Sequence, residues 1–406
     1  MRKKLVAILM MLFVLGCIST GYAAEEEVST ENTITLEKAK SLVNANSRNL
    51  KKYKISVDKA EYQLYQAEDQ RDEIFHSLNS MYSKYDKLWQ EYTSLQENQG
   101  DPAVADRINE LEAEISNLEQ EMIVQNEKID SSSDGVEDAE NNYNDSIKEE
   151  QNYRKQLEYV VEELYTTILN QEESLFTLKK ECELKKYLLD MERKKLQLGK
   201  STQLKVSQLE ADIINQNNAI TELTNNIKTK KWQLNDMMGK GYDDELNLVP
   251  FEVPGTVEIP EYNQLLSDAM QTYDALLQIK RDIKESEDEL DDEDDYYQSQ
   301  LLKSGIKEKE LQLEDEIINL SEAIINLITD VKSKQEGHQL ALINLKNAQK
   351  SYEWDKKRYE TGLISKLALL ESELNYLNMK NKEASSGYAL YLAQRSLKLA
   401  EDGILI

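Results

Sequence analysis

The sequence predicts an all-α protein made of two tandem repeats of long, antiparallel coiled-coil helices. Three observations carry this. First, apolar residues recur at alternating spacings of four and three, the 3.5-residue period of a coiled-coil seam. One run reads Leu157, Val161, Leu164, Ile168, then Leu175, Leu178, Cys182 and Leu189. Second, adding 163 to each number gives another seam: Leu320, Ile324, Leu327, Val331, His338, Ala341, Leu345 and Tyr352. Its polar breaks coincide too, Gln171 with Lys334 and Glu192 with Asp355. Third, the same shift carries Gly199 onto Gly362, and beyond them Val206, Ile227 and Leu234 onto Leu369, Leu390 and Leu397. Any coiled coil shares a heptad. A glycine at the same phase with matched breaks on either side marks an internal repeat.

Composition agrees. Among 406 residues there are only 13 Gly and 4 Pro, while 31% are charged and 7% aromatic, which leaves few turns and much helix. A mean hydropathy of -0.67 fits long helices burying a narrow seam better than a compact core. The net charge of -28 argues against nucleic acid or an anionic membrane surface as main partner, since both would repel it.

The N-terminus reads as a secretion signal over residues 1–23. Arg2, Lys3 and Lys4 precede an apolar run, residues 5–15, too short for a permanent span, and Gly21 and Ala23 supply small residues for cleavage before Ala24. A rival cut is offered by Val14-Leu15-Gly16-Cys17, which resembles a bacterial lipoprotein site and would attach lipid at Cys17. Conventional cleavage leaves Cys182 as the sole cysteine, so no intramolecular disulfide is expected. No later stretch is apolar enough for a transmembrane helix.

The first repeat is read as residues 24–258 and the second as 259–406. After an acidic leader, Thr35 caps the opening helix, and Asn46-Ser47-Arg48-Asn49-Leu50 is a weak point in it. This opening recurs at a shift of 226, with Leu50 meeting Leu276 and Leu64 meeting Leu290. The two shifts differ by 63 residues, so an insert sits in the first repeat, at about 71–131. It reads as a helical hairpin: Ile74, Leu78, Met81, Tyr85, Leu88 and Tyr92 run out, Gln99-Gly100-Asp101-Pro102 breaks the pattern, and Ile108, Leu111, Ile115, Leu118 and Met122 run back. Ser131-Ser132-Ser133-Asp134 is expected to cap the next helix, which then spans roughly 100 Å to Leu198. Gly239 and Gly241 close the first repeat, and the prolines of Val249–Gly255 make a non-helical linker. In the second repeat the insert's place is taken by an acidic run, residues 291–295, then Tyr296, Tyr297 and a turn at Ser304-Gly305.

Candidate chemistry is sparse. His76 and His338 are far apart, without metal-ligand spacing, and His338 takes the seam position of Leu175. Cys182, opposite Leu345, reads as a small apolar seam residue. The acidic run lacks the alternating ligands and turn glycine of a calcium loop, so it reads as a solvated turn, with Tyr296 and Tyr297 as an alternative contact surface. Trp89, Trp232 and Trp354 lie on helices and are expected to pack. Gly199 and Gly362 fit helix-ending glycines of any hairpin. No catalytic set, phosphate loop or metal site emerges, and neither an enzyme nor a cofactor is expected.

Two matched halves, each with a shorter helix, a very long helix, a glycine corner and a returning helix, resemble the TolC-like outer-membrane efflux family. Ile34-Thr35-Leu36-Glu37-Lys38-Ala39 followed by Asn46-Ser47-Arg48-Asn49-Leu50 is similar to that family's opening. Leu198-Gly199-Lys200-Ser201-Thr202 is similar to its first corner and Tyr359-Glu360-Thr361-Gly362-Leu363-Ile364-Ser365 to its second. The resemblance implies a homotrimer whose twelve helical strands roll into an α-barrel, with a periplasmic-type adaptor and an inner-membrane pump docking at the corners. Carried over by position, Gly199, Gly362 and Leu363 would be adaptor-contact turns, and Tyr359 and Glu371 gate-like residues. The other acidic gate positions hold Lys205 and Ala368, so a cation-binding ring of acids is not expected.

The family closes a membrane barrel from strand pairs set between the shorter and the long helix of each half. Here those slots hold the helical insert and the acidic turn, without the ~9–11 residues of alternation a membrane strand needs. The resemblance therefore covers the helical body, with no clear β-barrel. It implies an exported protein of the cell envelope, in the outer membrane by family likeness or on the extracytoplasmic face of a single membrane if the barrel is absent. Two functions remain: a conduit or docking element of an efflux or secretion assembly, or a non-transporting coiled-coil spacer. A trimer with a polar lumen would mark the first, and a monomer or dimer with self-satisfied seams the second.

Overall fold

A computed structural model describes residues 33–96 and 102–406. The secretion leader with Cys17, the acidic stretch after it and the Gln99–Asp101 break lie outside the described residues. The element order is β1 (Thr33–Ile34), α1 (Leu36–Asn46), α2 (Arg48–Gln96), α3 (Pro102–Gln197), α4 (Gln203–Met237), β2 (Asn247–Leu248), α5 (Tyr262–Thr272), α6 (Asp274–Asp291), α7 (Tyr296–Glu360) and α8 (Lys366–Glu401). The order α1 to α4 thus recurs as α5 to α8. Thr35 caps α1 by accepting the Lys38 N–H at 3.3 Å, and the chain breaks at Ser47 between α1 and α2 as it does at Tyr273 between α5 and α6.

The long helices lie side by side. α3 packs against α4 on one side and α8 on the other, and α8 packs against α7. At the far end α2 lies on α3 and α6 on α7. Each half has its own core at matching seam positions. In the first, Val161, Ile168 and Leu234 pack with Ala39, Val43 and Met238; in the second, Ile324, Val331 and Leu397 pack with Leu265, Ala269 and Leu276. Each such fully buried aliphatic contributes about 1.5–3 kcal/mol, so the cores, rather than the many exposed charges, hold the halves together.

Two expectations are corrected. Ser131–Asp134 does not start a helix, because α3 runs unbroken for 96 residues, roughly 144 Å. The hydroxyls of Ser132 and Ser133 donate to the Ile129 carbonyl, each at 2.9 Å, bonding back along the helix instead of capping it. Buried Val136 carries the seam past them, and packing against α2 overrides the local signal. Ser304-Gly305 is likewise no turn. It lies inside α7, whose start is set earlier by Asp295, the last acid of the run, accepting the N–H groups of Tyr297 and Gln298 at 2.9 Å each.

The insert is thus the outer length of α2 and α3 themselves, running out and back without a cap at 131–134. It stands about 30 residues, roughly 45 Å, past the level of the α6–α7 turn. Its seam is a third core, Leu78, Leu88, Leu111, Ile115, Leu118 and Met122. Flanking bonds fix the register, Tyr85 donating to Glu119 at 3.0 Å and Tyr92 to Glu112 at 2.8 Å. Among the described residues no strand lies between α2 and α3 or between α6 and α7, and no helix is long and apolar enough to cross a membrane.

A feature invisible to periodicity joins the start of the chain to the linker. β1 and β2 pair in parallel, Thr33 with Asn247 and Ile34 with Leu248. The buried Tyr165 hydroxyl sits beneath them, 2.8 Å from both the Ile34 and Val249 carbonyl oxygens, and accepts the Val249 N–H at 2.9 Å.

Candidate functional site

The two corners share one geometry. At the first, the Gly199 N–H donates to Leu196 O (2.9 Å) and the Lys200 N–H to Lys195 O (2.8 Å), with Gly199 at φ 69°. At the second, the Gly362 N–H donates to Tyr359 O (2.9 Å) and the Leu363 N–H to Arg358 O (2.8 Å), with Gly362 at φ 74°. A six-to-one bond closed over a left-handed glycine satisfies the last helical carbonyls. Thr202 and Ser365, again 163 apart, then cap α4 and α8 by accepting the N–H groups of Lys205 and Ala368.

Both corners point the same way. Lys366, the first residue of α8, lies over the Tyr187 ring at 5.5 Å, and Lys380 meets Glu173 at 2.9 Å, so α8 runs back along α3. The ten residues from Tyr187 to the end of α3 make the first corner overhang the second by roughly 15 Å. Leu198 and Leu363 are each 71% exposed, apolar points at the tip of each corner. Behind them the matched polar breaks form matched ion pairs, Glu192 to Lys195 at 3.0 Å and Asp355 to Arg358 at 3.1 Å. Ser201 also donates to Glu192, and this bond, then Lys195, holds the Glu192 carboxyl below its ordinary range. Tyr359 lies half-exposed in the last turn of α7, and Glu371 is exposed on the second turn of α8.

The corner glycines differ from the pair that ends the returning helices. Gly239 and Gly403 also have φ 73°, but a Cβ at Gly199 or Gly362 would meet nothing within 4 Å, whereas at Gly239 it would lie 2.8 Å from Asn46 Cγ. The Asn46 amide donates to Leu42 O and Met238 O at 2.9 and 2.8 Å and cannot retreat without losing both. Gly199→Ala is expected to cost about 1 kcal/mol of backbone strain, and Gly239→Ala about 2–3 kcal/mol, adding the lost bonds. Urea unfolding of both variants checks the order, and equal losses would show that space at Gly239 does not matter.

Sequence reasoning missed the polar heart of the body. Glu162, wholly buried on α3, has Arg395 of α8 at 2.9 Å and Lys40 of α1 at 2.6 Å, the latter too bent to be a directed hydrogen bond. Burial alone would lower the Lys40 and Arg395 pKa values, but Glu162, joined by Glu37 at Lys40 and by Tyr391 and Glu158 at Arg395, more than offsets this and both stand raised. Phe251 of the linker packs nearby against Tyr165, Tyr388 and Tyr391. Burial pushes the Tyr165 and Tyr388 phenols up to about 12, and burial plus the Glu162 charge raises Tyr391.

The fold thus favours neutral phenols and charged Lys40. Stability from these groups is intact below their ordinary values near 10 and is lost as pH rises through the raised ones. Denaturant midpoints measured at pH 8 and pH 11 are expected to fall sharply at the higher pH. A flat profile would show that the tyrosine cluster opens to water.

His338 is buried in the α7–α8 seam, its Nδ1 3.0 Å from Ser386 Oγ. The Ser386 hydroxyl donates its one proton to Glu383 O at 2.8 Å, so it accepts from His338, which places the imidazole proton on Nδ1. Nε2 is then a buried acceptor without a partner. His338→Leu, the residue type of position 175, is expected to stabilise the protein by about 1 kcal/mol. A lower melting temperature for that variant would show that Nε2 is satisfied.

The other singled-out residues are scattered. His76 is exposed, Cys182 is buried beside Asn217, Trp354 is 70% exposed, and Trp232 packs under Lys228 at 4.7 Å. Tyr296 and Tyr297 both face outward. No metal-binding group of three His, Cys, Asp or Glu occurs among the described residues.

The arrangement is that of a TolC-like fold. CusC, whose structures concern folding and transmembrane channel formation, matches 91% of this chain and 95% of its own, with a TM-score of 0.53 and 12% identity. The CmeC outer membrane channel of Campylobacter jejuni matches 96% of this chain and 94% of its own, with a TM-score of 0.50 and 14% identity. No family model and no curated protein matches the sequence. The likeness is one of fold, and it spans nearly the whole chain.

Proposed function

We propose that this chain is the helical body of an exported, TolC-like conduit in an efflux or secretion assembly. Residues 24–258 and 259–406 act as two repeats, three copies form the tube, and the corners around Gly199, Gly362 and Leu363 are docking points for an adaptor and a membrane pump. Tyr359 and Glu371 line the approach to that end. The observation that carries this reading is the pair of like corners, both facing one way and both tipped by an exposed leucine with open space around the glycine. A hairpin that only ended a helix would gain nothing from leaving leucine in water twice at one end. The place of action is the cell envelope.

A spacer reading draws on one observation, the coiled-coil extension of α2 and α3 where strands would be needed for a membrane barrel. Electron microscopy of the purified exported protein separates the two. End-on views with a central hole are expected; solid rods or isolated hairpins would replace the conduit by the spacer.

A further inference from the structure

The hairpin that projects past the body has two unlike faces. On α2 the seam puts Leu78, Tyr85 and Tyr92 at heptad position a, and Met81 and Leu88 at d. Phe75, Tyr82 and Trp89 then fall at e, one heptad apart, and are 52, 45 and 49% exposed. Cross-helix bonds show which side this row takes. Tyr85 and Tyr92 reach Glu119 and Glu112, the e residues of α3, while Glu91 and Arg107, both at g, pair across the opposite side at 2.9 Å. The three aromatics and the two glutamates therefore border one groove. Ile123, at b of α3 and 59% exposed, lies along the same side.

A helix that packs on one neighbour needs apolar residues at a and d alone. Adding e widens the stripe to that of a helix packed on two neighbours. Here α2 carries the wider stripe over three heptads. Trp89 is already held in a ladder of near-parallel rings, its centroid 6.2 Å from that of Tyr85 and 5.4 Å from that of Tyr92. An anchor ordered in advance loses little freedom on binding.

Charge divides between the faces. Asp86, Glu112 and Glu119 border the aromatic groove and are exposed. Arg71, at its body end, is paired with Asp72 at 3.0 Å. Lys84, Arg107 and Lys128 fall at g, on the other face.

We propose that this groove takes a basic amphipathic helix of another protein, lying along α2 and α3 as a third helix. The aromatic row repeats every seven residues, roughly 10.5 Å, the interval at which a partner helix presents its own seam. The acidic border calls for lysine or arginine on the flanks of that seam. A second copy's groove would set acid against acid, and an anionic membrane is repelled for the same reason. The aromatic anchors supply the affinity, and the acids set orientation and the rate of encounter. The contact stands on the hairpin alone, so it holds for a conduit and for a spacer alike.

The test uses the full exported protein and a labelled synthetic helix of about four heptads, with leucine at a and d and lysine at e and g. A matched peptide carries glutamate in place of lysine. Fluorescence anisotropy is expected to show the lysine peptide bound, and bound about tenfold or more weakly by Tyr82→Ser/Trp89→Ser. Trp354→Ser, exposed elsewhere on the chain, is expected to change nothing. Glu112→Gln/Glu119→Gln keeps an acceptor for each tyrosine and guards against a serine variant that merely misfolds. It is expected to weaken binding several-fold at low salt and little at high salt. No binding of the lysine peptide, or equal binding by the serine variant, overturns the proposal, the latter by showing that bulk negative charge holds the peptide. Equal binding of the glutamate peptide overturns it as unselective apolar contact. A smaller solution mass for the serine variant gives the face to a second copy. Sedimentation with phosphatidylcholine vesicles or chitin that the serine variant loses gives it to a lipid or glycan surface. Either result also overturns the helix partner.

Discussion

Arg395→Met is expected to cost about 3–5 kcal/mol of stability, although it leaves the side-chain volume nearly unchanged. The loss arises from Glu162, which has no exposed surface and would lose its well-directed ion pair while keeping the badly angled Lys40. Its carboxylate must then remain charged in a low-dielectric site, take up a proton, or drag α1 and α8 apart to reach water. Lys380→Met removes the neighbouring cross-half pair with Glu173, but there the lysine side chain is 48% exposed. That change is expected to cost under about 1 kcal/mol. Urea denaturation at neutral pH compares them directly. If both variants lose the same small amount, Glu162 is reached by water and the body is held by its apolar cores alone. The double variant Glu162→Gln/Arg395→Met is expected to recover part of the loss, because the stranded charge is gone.

The contrast shows what the sequence could and could not reveal. The seams were legible because each long helix repeats one simple demand, an apolar residue at every third or fourth place, and the shift of 163 exposes it twice. The corners were legible because Gly199 and Gly362 adopt a backbone conformation that other residues rarely take. Glu162 was not legible. It stands next to the seam position Val161 and looks like one more surface acid in a chain rich in them; only the approach of α8, some 230 positions later, buries it. The serines at 131–133 misled for a related reason. A hydroxyl can cap a helix or bond back within one, and the choice is made by whether the seam continues beyond it, as it does through Val136. The docking role proposed for the corners lies further still from the sequence, since an exposed leucine states that something is missing without naming it.

Leu111→Ala is expected to cost about 2–5 kcal/mol, with the damage confined to the outer hairpin. Leu111 has no exposed surface and sits at the centre of the cluster formed with Leu78, Leu88, Ile115, Leu118 and Met122. That cluster shares no residue with the cores around Tyr165 and Leu320, and the cross-helix bonds Tyr85–Glu119, Tyr92–Glu112 and Arg107–Glu91 join the outer lengths of α2 and α3 to each other. A long two-helix strut is nearly one-dimensional, so its far end can open while its base stays packed. Hydrogen exchange should therefore show amides over residues 78–122 losing protection, with those around Tyr165, Leu234 and Leu390 unchanged. If the body amides lose protection to the same degree, hairpin and body fold as one unit and the extension is a structural prop. If they do not, a segment that opens alone is free to vary in length and sequence without disturbing the helical body beneath it. That independence is what a projecting element needs if it is to reach a surface some 45 Å beyond the body.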